Sequence, residues 1–276
     1  MYKNNILNLV LFIVVISLAS VIYFSEEKTT ELERLSATDI ADIASITIQH
    51  NQNTTTIFKQ KDNHWQISQP VSIAANDFRI NSILKLINAP VHNKYSVDEM
   101  SLNSIGLDKP ATSIKLNDKK IDFGITNPAT NLRYVKLDNF VYTIEDVYYP
   151  LLSSSFGTLV SFDLLPKNSA IEKLILINQT ISRDDKGLWK SNIDISADNI
   201  NKTIDHWLHD QAFGVHEYMQ RDSLGEVFIY IEDHQQPISY VITDTDPWLI
   251  LARPEIGLEY HLDIEAYNNL ITPQNE

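Results

Sequence analysis

Along most of this chain, apolar and polar residues alternate with a period of two, in short runs interrupted by Asn, Asp, Gly and Pro. "ASITIQ", "TTTIFKQ", "KLILIN" and "QTISRD" alternate in this way, and so do "SIKLND", "KIDFGIT", "LRYVKLD" and "FVYTIED". A period of two puts successive side chains on opposite faces, so these runs predict half-buried strands with tight polar connections. "DDKG" (Asp184 to Gly187) and "KDNHW" (Lys61 to Trp65) read as hairpin turns. Two segments break the rhythm. Ile80, Ile83, Leu84 and Ile87 recur at helical spacing, as do Ile200, Ile204, Trp207 and Leu208. Asn76 or Asp77 can cap the first of these helices, and Ser196 or Asp198 the second. "DVYYPLL" and "IEAYNNLI" predict short closing helices. The fold class is α+β: mostly antiparallel sheets with helices laid on one face.

The first 24 residues stand apart. From Ile6 to Phe24 no charge interrupts the apolar run, which as a helix would span about 28 Å, close to the hydrocarbon core of a bilayer. Lys3 precedes the run, and Glu26, Glu27, Glu31 and Glu33 follow it. Charge bias therefore predicts a single-pass anchor in the inner (cytoplasmic) membrane through residues 6–24, with the N-terminus cytoplasmic and the bulk of the chain periplasmic. A cleaved signal peptide is the competing reading, with Ser17-Leu18-Ala19 as the cleavage site, but it has no need of the apolar continuation from Val21 to Phe24. Residues 25–41 read as a polar stalk in which Leu32 and Leu35 predict a short helix.

The remainder is written twice. Trp65 has a counterpart at Trp189, and the same offset of 124 matches Ile80 with Ile204, Ile83 with Trp207, and Leu84 with Leu208. It also lays "PVHNKY" over "GVHEY", matching Val91 with Val215 and His92 with His216. The first copy then carries an extra loop, "SVDEMSLNSIGLDKP". Beyond it "IDFGIT" matches "ISYVIT", and Tyr142, Ile144, Tyr149 and Leu152 match Tyr260, Leu262, Tyr267 and Leu270. A period this long predicts two tandem similar modules at 42–153 and 169–272, joined by a linker at 154–168. The twin tryptophans then mark matching spots in two separately packed cores.

"HWQISQPVSIAAND", "IGLDKPATSIKL" and "IDFGITNPATNLRYVKL" resemble a bacterial family catalogued only as a domain of unknown function, family 4340. The resemblance covers Ala41 to Leu152 well and the second copy more loosely. It implies membrane anchoring and export, with envelope membrane proteins, an ABC-type transport system among them, as partners. It brings no catalytic residues.

Composition narrows the functional classes. The net charge is −14, so the chain neutralises phosphates poorly and no nucleic-acid partner is expected. Without cysteine there is no disulfide, thiol catalysis or cysteine metal site. His206 and His209 in "DHWLHD", with His216 nearby in sequence, are the candidate metal ligands; their places on the polar side of the helical stripe favour plain solvation. "DTDPWLILARPE" begins like a calcium loop, but Leu249 stands where glycine is needed. "SSSFG" offers hydroxyls without a nucleophile elbow. Trp248, after Asp246-Pro247, is a candidate partner contact.

These readings predict a non-catalytic, membrane-anchored accessory or scaffold protein with no cofactor, acting through protein contacts in an envelope complex. The alternatives are a small-ligand or glycan-binding module and, after that, an envelope hydrolase.

Overall fold

The alternating runs become strands because each can bury one face, and the structure, a computed structural model, describes them within residues 2–24 and 32–273, with side chains for 9–20 and 32–273. The N-terminal helix α1 runs Tyr2–Phe24. Its described apolar side chains are exposed, yet among the described residues no helix is long and apolar enough to cross a membrane. Of the stretch read as a stalk, residues 25–31 lie outside the described residues. The rest of it packs down. Leu35 is buried, Arg34 bridges Pro90, and the Val91 N–H donates to Glu33 O, so an extended arm lies where a short helix was expected.

The first module contains β1 (Ser45–His50), β2 (Asn53–Lys59), β3 (Trp65–Gln69), β4 (Ile73–Ala74), α2 (Asp77–Leu84), β5 (Asn93–Ser96), β6 (Thr112–Leu116), β7 (Lys119–Thr126), β8 (Leu132–Leu137), β9 (Phe140–Glu145) and α3 (Tyr149–Ser153). The second contains β10 (Ile171–Ile175), β11 (Thr180–Arg183), β12 (Trp189–Ser191), α4 (Ala197–His209), β13 (Gly214–Glu217), β14 (Gly225–Ile231), β15 (Ile238–Asp244), β16 (Trp248–Arg253), β17 (Leu258–Asp263) and α5 (Ala266–Leu270). The sheets are ordered β4-β3-β2-β1-β6-β7-β8-β9-β5 and β12-β11-β10-β14-β15-β16-β17-β13. Apart from β4 the two orders are the same, and every sheet pairing is antiparallel. Caps fall where the sequence places them: Asn76 accepts the Arg79 N–H at 3.1 Å and Ser196 the Asn199 N–H at 3.2 Å.

Strand register tests the duplication residue by residue. Tyr142 pairs with Val135 as Tyr260 pairs with Leu251. Val135 pairs with Phe123 as Leu251 does with Ile242, and these in turn with Thr112 and Gly225. Four residues along, Leu116 meets Ile46 and Ile229 meets Leu174, whose next partners are Ile57 and Ile181. The series ends on Lys59 opposite Trp65 and Arg183 opposite Trp189. The two tryptophans therefore hold the same place, each under a cation: Lys59 Nζ is 6.0 Å and the Arg183 guanidinium 4.7 Å from the ring.

Two matches made from residue likeness are corrected. Phe123 corresponds to Ile242, so "IDFGIT" and "ISYVIT" are slipped by two residues; an even slip keeps every side chain on its face, which is why the letters still look alike. His92 corresponds to Phe213, since each donates its N–H at 2.9 Å to matching carbonyls, Thr143 O and His261 O. His216 takes the place of Tyr95 instead. A 3-10 turn at Lys85–Asn88, which α4 does not have after His209, accounts for the displacement.

The expectation of two separate cores also fails: the buried apolar residues of both sheets form one continuous cluster. The connecting segment makes it continuous, because Leu159, Val160, Leu164 and Leu165 are buried in that same cluster. Its backbone pairs on both sides, with Ala75 opposite Val160 and Asp163 opposite Gln211. The second of these bridges, with the Ala212 N–H donating to Phe162 O, repeats in the second module what Arg34 and Glu33 do in the first.

Candidate functional site

Where the modules meet, a cleft of about 720 Å³ opens between the β2–β3 hairpin, the connecting segment and the ends of β15 and β16. Most of "HWQISQPVSIAAND" lines it, from His64 to Asp77. Its apolar walls include Trp65, Ile73, Leu164, Ile238 and Tyr260. At the rim, Asp77 accepts from His64 Nδ1 at 2.5 Å and from the Trp65 N–H at 2.9 Å, and Lys167 Nζ lies 3.5 Å from it. Burial pushes the Asp77 carboxyl up, but the Trp65 N–H, His64 and Lys167 outweigh it and hold the group below the usual carboxylate range. Across the cleft Arg253, paired with Glu255 at 2.8 Å, lies close to Tyr240 and Tyr260, and burial pushes the Tyr260 hydroxyl up to about 12. The cleft hydroxyls are engaged, Ser72 with Gln66 at 3.3 Å and Ser161 with Asp163 at 2.8 Å. Apolar walls with a few fixed charges at the mouth suit holding a ligand more than cleaving one.

A second feature lies on the outer face of the second sheet. In the first module the loop 97–111 covers this face, packing Ile105 and Leu107 on Val141 beside Tyr95 and Tyr134. In the second module the loop shortens to 218–224, and register replaces Val141 by Glu259 and Tyr95 by His216. Glu259 is only 2% exposed. It accepts from Arg221 Nη1 at 2.8 Å, the Met219 N–H at 3.0 Å and His261 Nε2 at 2.8 Å. Burial raises its pKa, but these three donors, Arg221 first, hold it below the usual carboxylate range. On this face Phe213 and Trp248 are about half exposed, their rings edge-on at 5.6 Å, with His261 6.2 Å from Phe213.

The sequence candidates fall as follows. His206 pairs with Asp210 at the end of α4 at 3.0 Å and His209 with Asp205 at 2.9 Å, both pairs partly or largely solvated. His216 sits apart on the edge strand β13, its ring 4.7 Å from His261. Among the described residues no group of three or more His, Asp or Glu can hold a metal. Trp248 opens β16. Sequence reasoning missed Phe213, Glu259, His261 and Arg221. In "LEYHLD" Glu259 and His261 alternate with apolar residues as solvent-facing residues do, and nothing local marks them as covered.

His216 is expected to give the stability a pH dependence on the acid side. Burial lowers its pKa, His261 and Arg79 of α2 lower it further, and Glu259 opposes them. The unfolded chain takes up this proton near pH 6.5 while the folded chain resists it. Stability is therefore full above that value and falls as the pH drops below it. Urea midpoints measured at pH 7.5 and 5.5 are expected to differ less in His216→Gln than in the parent chain.

The family model described as Domain of unknown function (DUF4340) matches residues 65–208, from the first tryptophan through the connecting segment into α4. No curated protein and no solved structure matches the chain.

Proposed function

The chain belongs to the DUF4340 family, a domain of unknown function, and from that footing we propose that it is a non-catalytic, membrane-tethered scaffold acting through protein contacts in an envelope complex. The observation that carries the reading is the asymmetry of the outer faces. The first module covers its own, whereas the second presents Phe213 and Trp248 on a face stiffened from beneath by the Glu259–Arg221 ion pair. Large aromatic side chains on a rigid support are the residues that dominate protein interfaces. The uncharged apolar run from Ile6 to Phe24 supports a tether in the inner membrane, with the modules on the periplasmic side. An ABC-type transport system is one partner class that fits this placement.

The test is crosslinking and mild extraction of the full chain from membranes. A stable protein neighbour is expected, and Trp248→Ala is expected to weaken its recovery by about tenfold, the effect of removing one interface anchor. A neighbour retained equally by the variant would remove Trp248 from the contact, and no neighbour at all would overturn the scaffold reading. The cleft favours a second reading, a small-ligand module, for which native mass spectrometry of the intact protein would find a bound mass.

A further inference from the structure

In the first module the outer edge of β3 is covered in two layers. β4 pairs with it, Gln66 opposite Ala74 and Ile67 opposite Ile73, and the Ala75 N–H donates to Trp65 O at 2.9 Å. Outside β4 the connecting segment adds Asn76 N–H to Leu159 O at 2.8 Å and Ser161 N–H to Ala74 O at 2.9 Å. Beneath these layers Trp65 is 3% exposed.

In the second module the tryptophan is the same and the cover differs. The residues that match β4 by the tryptophan offset, 197–198, open α4 instead of forming a strand. β12 is therefore the last strand of its sheet, and among the described residues no strand pairs outside it. Trp189 is half-buried, and a shallow groove beside it is lined by Ile193, Ile195, Ala197 and Ile200 together with Lys190, Ser191 and Asp194. Leu188 and Ile193 flank the edge at 61% and 45% exposure. Exposed edges are ordinarily blunted by a lysine or a proline. Here the one lysine, Lys190, is tied back to Asp184 at 2.8 Å.

We propose that the open edge of β12 takes an extended apolar segment of a partner protein, added as an antiparallel strand in the manner of β4 on β3. The internal copy supplies the chemistry of the occupant: small and branched apolar residues, as in Ile73-Ala74-Ala75, laid against the tryptophan. Main-chain pairing holds such a segment and the groove selects its side chains. A net charge of −14 on each chain opposes a second copy as the donor, so the segment comes from a different protein. The proposal rests on the protein-contact reading and adds a surface separate from Trp248.

The probe is an end-blocked peptide with the sequence of Gln69–Asn76, added to the full-length protein in detergent. Saturable binding is expected, with slowed amide exchange confined to residues 188–193. Leu188→Lys with Ile193→Lys, both at exposed positions that leave the fold intact, is expected to weaken binding by about tenfold. No binding, unchanged exchange at β12, or equal affinity for the double variant would overturn the proposal. Any of these results beside a membrane neighbour still lost on Trp248→Ala would remove the β12 site and leave the scaffold reading standing.

Discussion

Trp207→Ala is expected to destabilise the protein by about 4 kcal/mol, seen as a fall in Tm of roughly 10 °C. Trp207 is fully buried in the shared core. Its indole N–H donates to Leu270 O at 3.0 Å, which pins α4 to α5. Its ring packs on Tyr240 at 5.8 Å, and Tyr240 stands edge-on to Tyr260 at 5.7 Å. The Tyr240 hydroxyl in turn donates to Leu164 O in the connecting segment. Truncation therefore opens a cavity and loosens the ring that holds the connecting segment in place. Trp207→Phe keeps most of the volume and loses only the hydrogen bond, so about 1 kcal/mol is expected. If the alanine variant unfolds within about 1 kcal/mol of the parent chain in urea, the shared core is not what joins the modules.

Glu259→Ala is expected to cost about 3 kcal/mol, because it leaves Arg221 and His261 without the carboxylate they both face. The first module shows how the same place is filled without charge: Val141 sits there, packed under Ile105 and Leu107. Glu259→Val combined with Arg221→Leu is therefore expected to recover at least half of the loss, since it removes both charges rather than one. A pH dependence accompanies this. The Glu259 carboxyl is held below its unfolded value of 4.5, so its contribution is full above that value and is lost as the pH falls through the folded one. Urea titrations at pH 7 and pH 4 are expected to show a smaller difference for Glu259→Ala than for the parent chain. An equal difference would mean that the cluster carries no net stability.

The two variants also separate two kinds of contribution. Trp207 acts by burial in the cluster that both sheets share, and through Tyr240 its packing extends to the connecting segment, so its loss should lower one cooperative transition. Glu259 acts within the second module, beneath the aromatic face that the scaffold reading uses. Its loss should therefore weaken any neighbour bound through Phe213 and Trp248 even at temperatures where the fold is intact.

Particular residues show how far the letters reach. The alternation in "KLILIN" and "FVYTIED" is enough to place β10 and β9, because a strand's two faces are encoded in neighbouring residues. The Trp65–Trp189 match survives the ladder test, because tryptophan after a hairpin turn is a rare letter in a fixed place. The His92–His216 match does not. Residue likeness carries no information on which carbonyl a main-chain N–H will reach, and one 3-10 turn moves the register by three positions. Glu259 likewise reads as a surface residue, because its burial depends on a loop and on Arg221 folding back over it.

By itself, then, the sequence determined the α+β class, the strand-rich halves, the helix caps and the copying of one unit, since each of these rests on period or on identity at a fixed spacing. Only the tertiary structure decided that the halves share one core, that Lys167 comes to Asp77 across a cleft, that Glu259 is buried, and that β12 is left without the cover β3 has. The reason is physical: periodicity is a property of neighbours along the chain, whereas burial and pairing between distant segments are settled only when the connecting segment packs between the two sheets.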